Sequence, residues 1–152
     1  LRTLRAQTVG RVIAVVGAGG DRDSSKRPLM GAEAARVADV VIVTDDNPRT
    51  EDPGTIREAV TAGAVDAAGK RAAAIGIDPI RVENIGDRAE AIDLAIRLAE
   101  AGDAVVVAGK GHETGQEING VMHHFDDREQ VREALARRAG NTAGGVAQEG
   151  EN

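Results

Sequence analysis

Three short runs of unbroken aliphatic residues leave this chain few ways to fold. They are Val12-Ile13-Ala14-Val15-Val16, Val40-Val41-Ile42-Val43 and Ala104-Val105-Val106-Val107-Ala108. A strand that is apolar at every position, rather than at every second one, has both faces covered, as in the middle of a parallel sheet. Parallel neighbours require crossover connections, and the stretches between these runs read as helices. The predicted fold class is therefore α/β: a doubly wound, mostly parallel Rossmann-like sheet in a single domain. Gln116-Glu117-Ile118 and Val121-Met122-His123-His124-Phe125 flank Asn119-Gly120, which adds a C-terminal β-hairpin.

The connections follow from local signals. Pro28 opens a helix to about Ala38, with Leu29, Met30, Ala34, Val37 and Ala38 facing inward. Asp52-Pro53 reads as an N-cap followed by proline at the first helical position, starting a helix to Ala64 with Ile56, Ala59 and Val60 on one face. Residues 65–78, rich in alanine and glycine, read as a loop or short helix, and Ile80-Arg81-Val82 as a short strand at a sheet edge. Asp87 caps a helix to Ala101 that buries Ile92, Ala95, Ile96 and Ala99 and stops at Gly102. Asp126 or Asp127 caps a last helix with Val131 and Leu135 inward. The expected division is a linker or frayed end of an upstream domain over 1–10, the domain itself over 11–139, and a disordered tail over 140–152. The chain begins at Leu1 rather than at a methionine, so it is expected to be a piece of something longer.

Composition excludes several classes of function. Of 152 residues one is Phe and none is Trp, Tyr or Cys, and the formal net charge is −6. Single-stranded nucleic acid is held on aromatic platforms and phosphate backbones need a basic surface, so no nucleic-acid partner is expected. Disulfides and thiolate metal sites cannot form. No apolar run approaches the roughly 18 residues of a membrane span and no signal-peptide pattern is present, so the expected location is cytoplasmic with no membrane partner.

Each of the three aliphatic runs ends in a loop dense in charge: 17–27, 45–52 and 109–115. Strands of a parallel sheet point one way, so the loops converge at the carboxyl edge, where open α/β sheets bind ligands. They bring Asp21, Arg22, Asp23, Lys26 and Arg27, then Asp45, Asp46, Asn47 and Arg49, then Lys110, His112 and Glu113. Pro48 stiffens the middle loop. This set fits a small zwitterion or a phosphate. Standard phosphate motifs fail: Arg22 stands where a dinucleotide fingerprint has its third glycine, and Gly109-Lys110 is followed by Gly111, not Ser or Thr. His112 has no second histidine at ligand spacing, so no metal site is expected there, while Asp45-Asp46 can hold Mg²⁺ or cap the loop's own backbone. The plain alternative is that all three loops are tight, solvated turns.

Taken together, the segments Gly19–Gly31, Thr44–Glu51 and Ala108–Glu113 resemble the C-terminal domain of a Mur ligase, of the type that adds meso-diaminopimelate to UDP-N-acetylmuramoyl-L-alanyl-D-glutamate in peptidoglycan synthesis. The resemblance spans about 11–139. It implies a three-domain, ATP- and Mg²⁺-dependent amide-bond ligase, with the nucleotide and the UDP-sugar dipeptide held mainly by domains absent here. It implies an amino-acid site at Arg22, Asp46, Asn47, Pro48, Arg49, Gly109 and Glu113, and nucleotide contacts at Asp21 and Lys26. No catalytic residue and no metal ligand is assigned to this stretch. The chemistry is consistent: Arg22, Arg49 and the Asn47 amide suit carboxylates, Glu113 suits an ammonium, and Gly109 admits close backbone approach. Two other readings share the architecture. A phospho-acceptor receiver domain has acids and a lysine at similar strand ends, and a folate-polyglutamate ligase C-terminal domain has the same fold without reason to carry Asp46-Asn47-Pro48-Arg49.

Overall fold

The aliphatic runs do form one parallel sheet. The computed structural model describes residues 1–148. Its strands β1 (Val12–Val16), β2 (Val40–Val43), β3 (Arg81–Asn84) and β4 (Ala104–Val107) lie in the order β3-β2-β1-β4, all parallel. Helices α1 (Arg2–Gln7), α2 (Arg27–Val37), α3 (Pro53–Ile75), α4 (Arg88–Leu98) and α5 (Asp127–Gln148) surround it, with a hairpin of β5 (Gly115–Ile118) and β6 (Val121–His124) beside it. The pleat of β1 divides the core. Val12, Ala14 and Val16 join Val41, Val43 and the α2–α3 layer, whereas Ile13 and Val15 join Val40, Ile42 and the α4–α5 layer. Every residue of β1 and β2 is buried, as an aliphatic run without alternation requires. Strand order reverses between β1 and β4, so the loops after these strands diverge around a crevice at the carboxyl edge.

Several sequence expectations need correction. β4 is half-buried, because it is the open edge of the sheet with a neighbour on one side only. α3 continues through residues 65–75 to a left-handed Gly76 C-cap; its alanines are the strongest helix formers, and two interior glycines cost too little to stop it. α4 ends at Leu98 rather than Ala101, with Ala99 extended and half-buried. α5 runs past Ala139 to Gln148, so residues 140–148 are helical where a disordered tail was expected; residues 149–152 lie outside the described residues. The N-terminal stretch contains α1, pinned to the sheet by the Arg5–Asp39 ion pair.

The largest surprise is α2. Leu29 and Met30, expected inside, are exposed, and Leu135 of α5 is exposed while Ala134 is buried. For Leu29 and Met30 the cause is the spacing of α2 and α3, whose backbones nearly touch. A Cβ built on Gly31 would lie 1.9 Å from the Val60 carbonyl oxygen, and one on Gly63 would lie 1.9 Å from that of Pro28. At these points of closest approach only glycine fits, and Leu29 and Met30, which flank Gly31, turn outward. Gly31→Ala or Gly63→Ala is therefore expected to cost about 1–3 kcal/mol through overpacking. Gly69→Ala, where nothing lies within 4 Å of the added carbon, is expected to stabilise by roughly 0.5–1 kcal/mol. Urea denaturation of the three variants checks the opposite signs.

Candidate functional site

The middle loop is held from three directions. Gly20 N–H donates to the Asn47 carbonyl at 2.7 Å, and an added Cβ on Gly20 would sit 1.9 Å from the Pro48 carbonyl oxygen. Glycine here is thus demanded by loop-on-loop packing. Asp21, at φ +53°, accepts from Thr50 Oγ1 at 2.8 Å, and its own N–H donates to Glu51 Oε1 at 2.9 Å. The hairpin closes the other side: Arg49 N–H donates to the Glu117 carbonyl at 3.0 Å and Asn119 N–H to the Arg49 carbonyl at 2.7 Å. Asn119 and Gly120, at φ +54° and +76°, make the turn that the sequence signalled.

Asn47 is the hub where these loops meet. It is buried, and its Nδ2 donates to Glu113 Oε2 at 3.1 Å. Its Oδ1 accepts from Lys110 Nζ at 3.1 Å and from Glu117 N–H at 2.9 Å. Lys110 also donates to the Gly115 carbonyl at 2.8 Å and stands 3.3 Å from Asp46 Oδ1. That last contact is an ion pair without hydrogen-bond alignment, and Asp46 Oδ1 is otherwise buried without a partner. Gln116 Nε2 donates to the Asp46 carbonyl at 2.8 Å. Gly109, exposed at φ +114°, lies against Asp46: an added Cβ would be 3.4 Å from Asp46 Oδ2.

One concavity opens beside this hub and a second beside the 17–27 loop. The first, of about 380 Å³, is lined by Asn47, Glu113, Thr114, Gly115, Met122, His123 and His124. The second, of about 450 Å³, is lined by Ala18, Gly19, Arg22, Asp23, Lys26, Arg27 and Met30. Both lie within the roughly 300–1,000 Å³ of small-ligand pockets. Gly19 separates the two expected arginines: a Cβ there would be 2.8 Å from Arg49 Nη1 and 3.6 Å from Arg22 Cγ. Arg49, itself at φ +52°, donates from Nη1 to the Gly20 carbonyl at 2.8 Å. Among the described residues the side chains of Arg22 and Lys26 make no hydrogen bond or ion pair; both are exposed to the second concavity. Asn47 and Glu113 touch, and Asp46 and Gly109 adjoin them, while Arg22 and Lys26 stand apart across the 17–27 loop.

One expectation changes here. Asp45 pairs with the Arg57 guanidinium, so it neither caps its own loop nor stands free for a cation. Burial pushes its carboxyl above the ordinary aspartate range, against the lowering hydrogen bond and charge of Arg57. Among the described residues no group of three or more His or acidic side chains could hold a metal ion. Asp21, expected to contact a nucleotide, is exposed and accepts from Thr50 Oγ1.

Arg88 was not legible beforehand. Its side chain is fully buried, with Nε and Nη2 forked onto Asp127 at 2.8 Å each. Nη1 reaches the Asp45 carbonyl and Nη2 the Ala108 carbonyl, both at 3.1 Å. One guanidinium thus ties the ends of β2 and β4 to the start of α5. In sequence it is only the residue after a helix cap, and nothing local reveals that three elements converge on it.

With this geometry in hand, similarity to known proteins is informative. The family profile described as Mur ligase, glutamate ligase domain, matches residues 1–111. The UDP-N-acetylmuramoyl-L-alanyl-D-glutamate–2,6-diaminopimelate ligase of Corynebacterium glutamicum is 55% identical over 150 residues, 99% of this chain and 28% of that protein. Its namesake from Corynebacterium efficiens is 62% identical over 135 residues, 89% of this chain and 25% of the relative. A solved structure of a ligase of the same name superposes with a TM-score of 0.71 at 47% identity, covering 87% of this chain and 25% of that one. The chain spans about a quarter of the length of the relatives it matches. On the extent of the profile match, supported by these relatives, this chain belongs to the Mur ligase family and carries its glutamate ligase domain.

Proposed function

We propose that this chain is the amino-acid-binding C-terminal domain of an ATP-dependent ligase that joins meso-diaminopimelate to UDP-N-acetylmuramoyl-L-alanyl-D-glutamate. The observation that carries the reading is the meeting of Asn47 and Glu113 beside a cavity, with Arg49 on the same proline-stiffened loop. Diaminopimelate has an ammonium and a carboxylate at each end. Arg22 and Arg49 offer guanidinium forks to the carboxylates, and the unshared Nδ2 proton of Asn47 adds a donor. Glu113, exposed and with its carboxylate bonded to Asn47 alone among the described residues, offers an anion to the distal ammonium. Pro48 and Asp46 keep the loop in shape, and Gly109 leaves the backbone open to the ligand. The names of the relatives point to the same substrate.

ATP, when bound, supplies the activation of the acceptor carboxyl. We place it and Mg²⁺ mainly on parts of the full-length protein outside this chain, with the exposed Lys26 as this domain's contact to the nucleotide. This chain's residues bind and orient the incoming amine, and no catalytic step is assigned to them. A cytoplasmic location follows from the nucleotide-linked substrates; among the described residues no helix is long and apolar enough to cross a membrane.

The test is a titration of the ¹⁵N-labelled chain with meso-diaminopimelate and, separately, with L-lysine. Diaminopimelate is expected to shift the resonances of Arg22, Asn47, Arg49, Gly109 and Glu113, lysine to do so far more weakly, and the chain alone to release no phosphate from ATP. Equal responses to the two amino acids, or shifts confined to another face, would sink the reading.

A further inference from the structure

We infer that Lys110 is a positioning residue of the amino-acid site: its buried ammonium fixes the amide of Asn47 so that Nδ2 faces Glu113 and the cavity. The inference rests on the binding role proposed above for Asn47, and it goes beyond it by naming what aims that side chain.

Lys110 is not available to a ligand. Its side chain is 0% exposed; Nζ donates to Asn47 Oδ1 and to the Gly115 carbonyl and stands against the Asp46 carboxylate as an ion pair. It therefore acts only through what it holds. An asparagine amide can be turned over by half a rotation about its last bond, exchanging oxygen and nitrogen at little steric cost, so its partners decide which way it points. In this site the oxygen faces two groups that only donate, Lys110 Nζ and Glu117 N–H. The nitrogen faces a carboxylate oxygen, which only accepts. The flipped amide would set NH₂ against an ammonium and an N–H, and its oxygen against Glu113, losing all three bonds. Glu117 N–H alone leaves the oxygen with one partner on an edge of the hairpin. Lys110 adds a buried, charge-assisted bond and, through Gly115, fastens the hairpin to the same point. With its orientation set, Asn47 keeps one Nδ2 proton for Glu113 and one for a ligand carboxylate.

The experiment uses the 152-residue chain labelled at asparagine side chains and compares wild type, Lys110→Met and Lys110→Gln, each checked for folding by circular dichroism. In wild type the Asn47 Nδ2 protons are expected as a dispersed pair with cross-relaxation to the Glu113 side chain. Lys110→Met should collapse that dispersion and the Glu113 contact, and Lys110→Gln, which keeps a donor, should restore much of both. A second readout is the affinity for meso-diaminopimelate. Lys110→Met is expected to weaken it about tenfold or more in the wild-type background but less than about threefold in an Asn47→Ala background, because the two residues act as one unit. An Asn47 amide unchanged in Lys110→Met, or additive losses of affinity, would overturn the inference. So would loss of the fold in both variants, which would make Lys110 a determinant of folding instead. Should wild type fail to bind diaminopimelate, the proposed substrate falls, while the amide readout still decides the role of Lys110.

Discussion

Arg88→Met is expected to lower the melting temperature by roughly 6–20 °C, the largest stability loss of any single substitution proposed here. The estimate follows from breaking a buried ion pair by removing one partner, which typically costs about 3–5 kcal/mol. Asp127, nearly buried, would be left with an uncompensated charge, and the carbonyls of Asp45 and Ala108 would each lose a donor. The damage should be repairable. Removing both charges, as in Arg88→Met with Asp127→Leu, leaves no orphaned ion and is expected to recover much of the lost stability. Differential scanning calorimetry on the two variants checks this. A single variant melting within about 2 °C of wild type would show that water reaches the pair and that its energy is that of a surface bridge.

The second large effect is on substrate choice. In the full-length ligase, Arg49→Ala is expected to reduce kcat/KM for meso-diaminopimelate about 30-fold or more, since truncating one side of a buried charged contact commonly costs about 2–5 kcal/mol. L-Lysine lacks the distal carboxylate, so its use should fall far less and the preference between the two should narrow. The loop itself should survive. It is fastened through the backbone of Arg49 to Glu117 and Asn119, and through Asn47 to Gly20, none of which needs the guanidinium. The lost charge-assisted bond from Nη1 to the Gly20 carbonyl, with the 3.7 Å pairing of Arg49 and Glu117, accounts for about 1–3 kcal/mol of stability. Arg49→Lys, which keeps the charge but not the planar fork, should fall between wild type and alanine. Equal losses for both amino acids would mean that Arg49 shapes the loop rather than selecting the substrate.

The sequence alone determined the sheet, because continuous aliphatic runs at β1 and β2 are stable only with both faces covered, and parallel pairing then forces the helices between them. It also determined the hairpin turn at Asn119-Gly120 and the N-caps Asp52 and Asp87, whose side chains accept from Thr55 N–H and Glu90 N–H. These signals are local, carried by backbone geometry within a few residues. It identified the three loops that converge, since strand direction fixes where their ends lie. What it could not determine is everything set by distance across the chain. The outward turn of Leu29 and Met30 follows from the contact of α2 with α3 at Gly31 and Gly63, and neither helix reveals its partner's spacing. The edge position of β4 is a matter of strand order, which leaves no trace in Ala104–Val107 itself. The amide of Asn47 is aimed by Lys110, 63 residues away, and Arg88 finds Asp127 at a separation of 39. Burying a charge is tolerable only when its partner arrives from elsewhere in the fold, so the groups that hold the site rigid were legible only once the tertiary structure had brought them together.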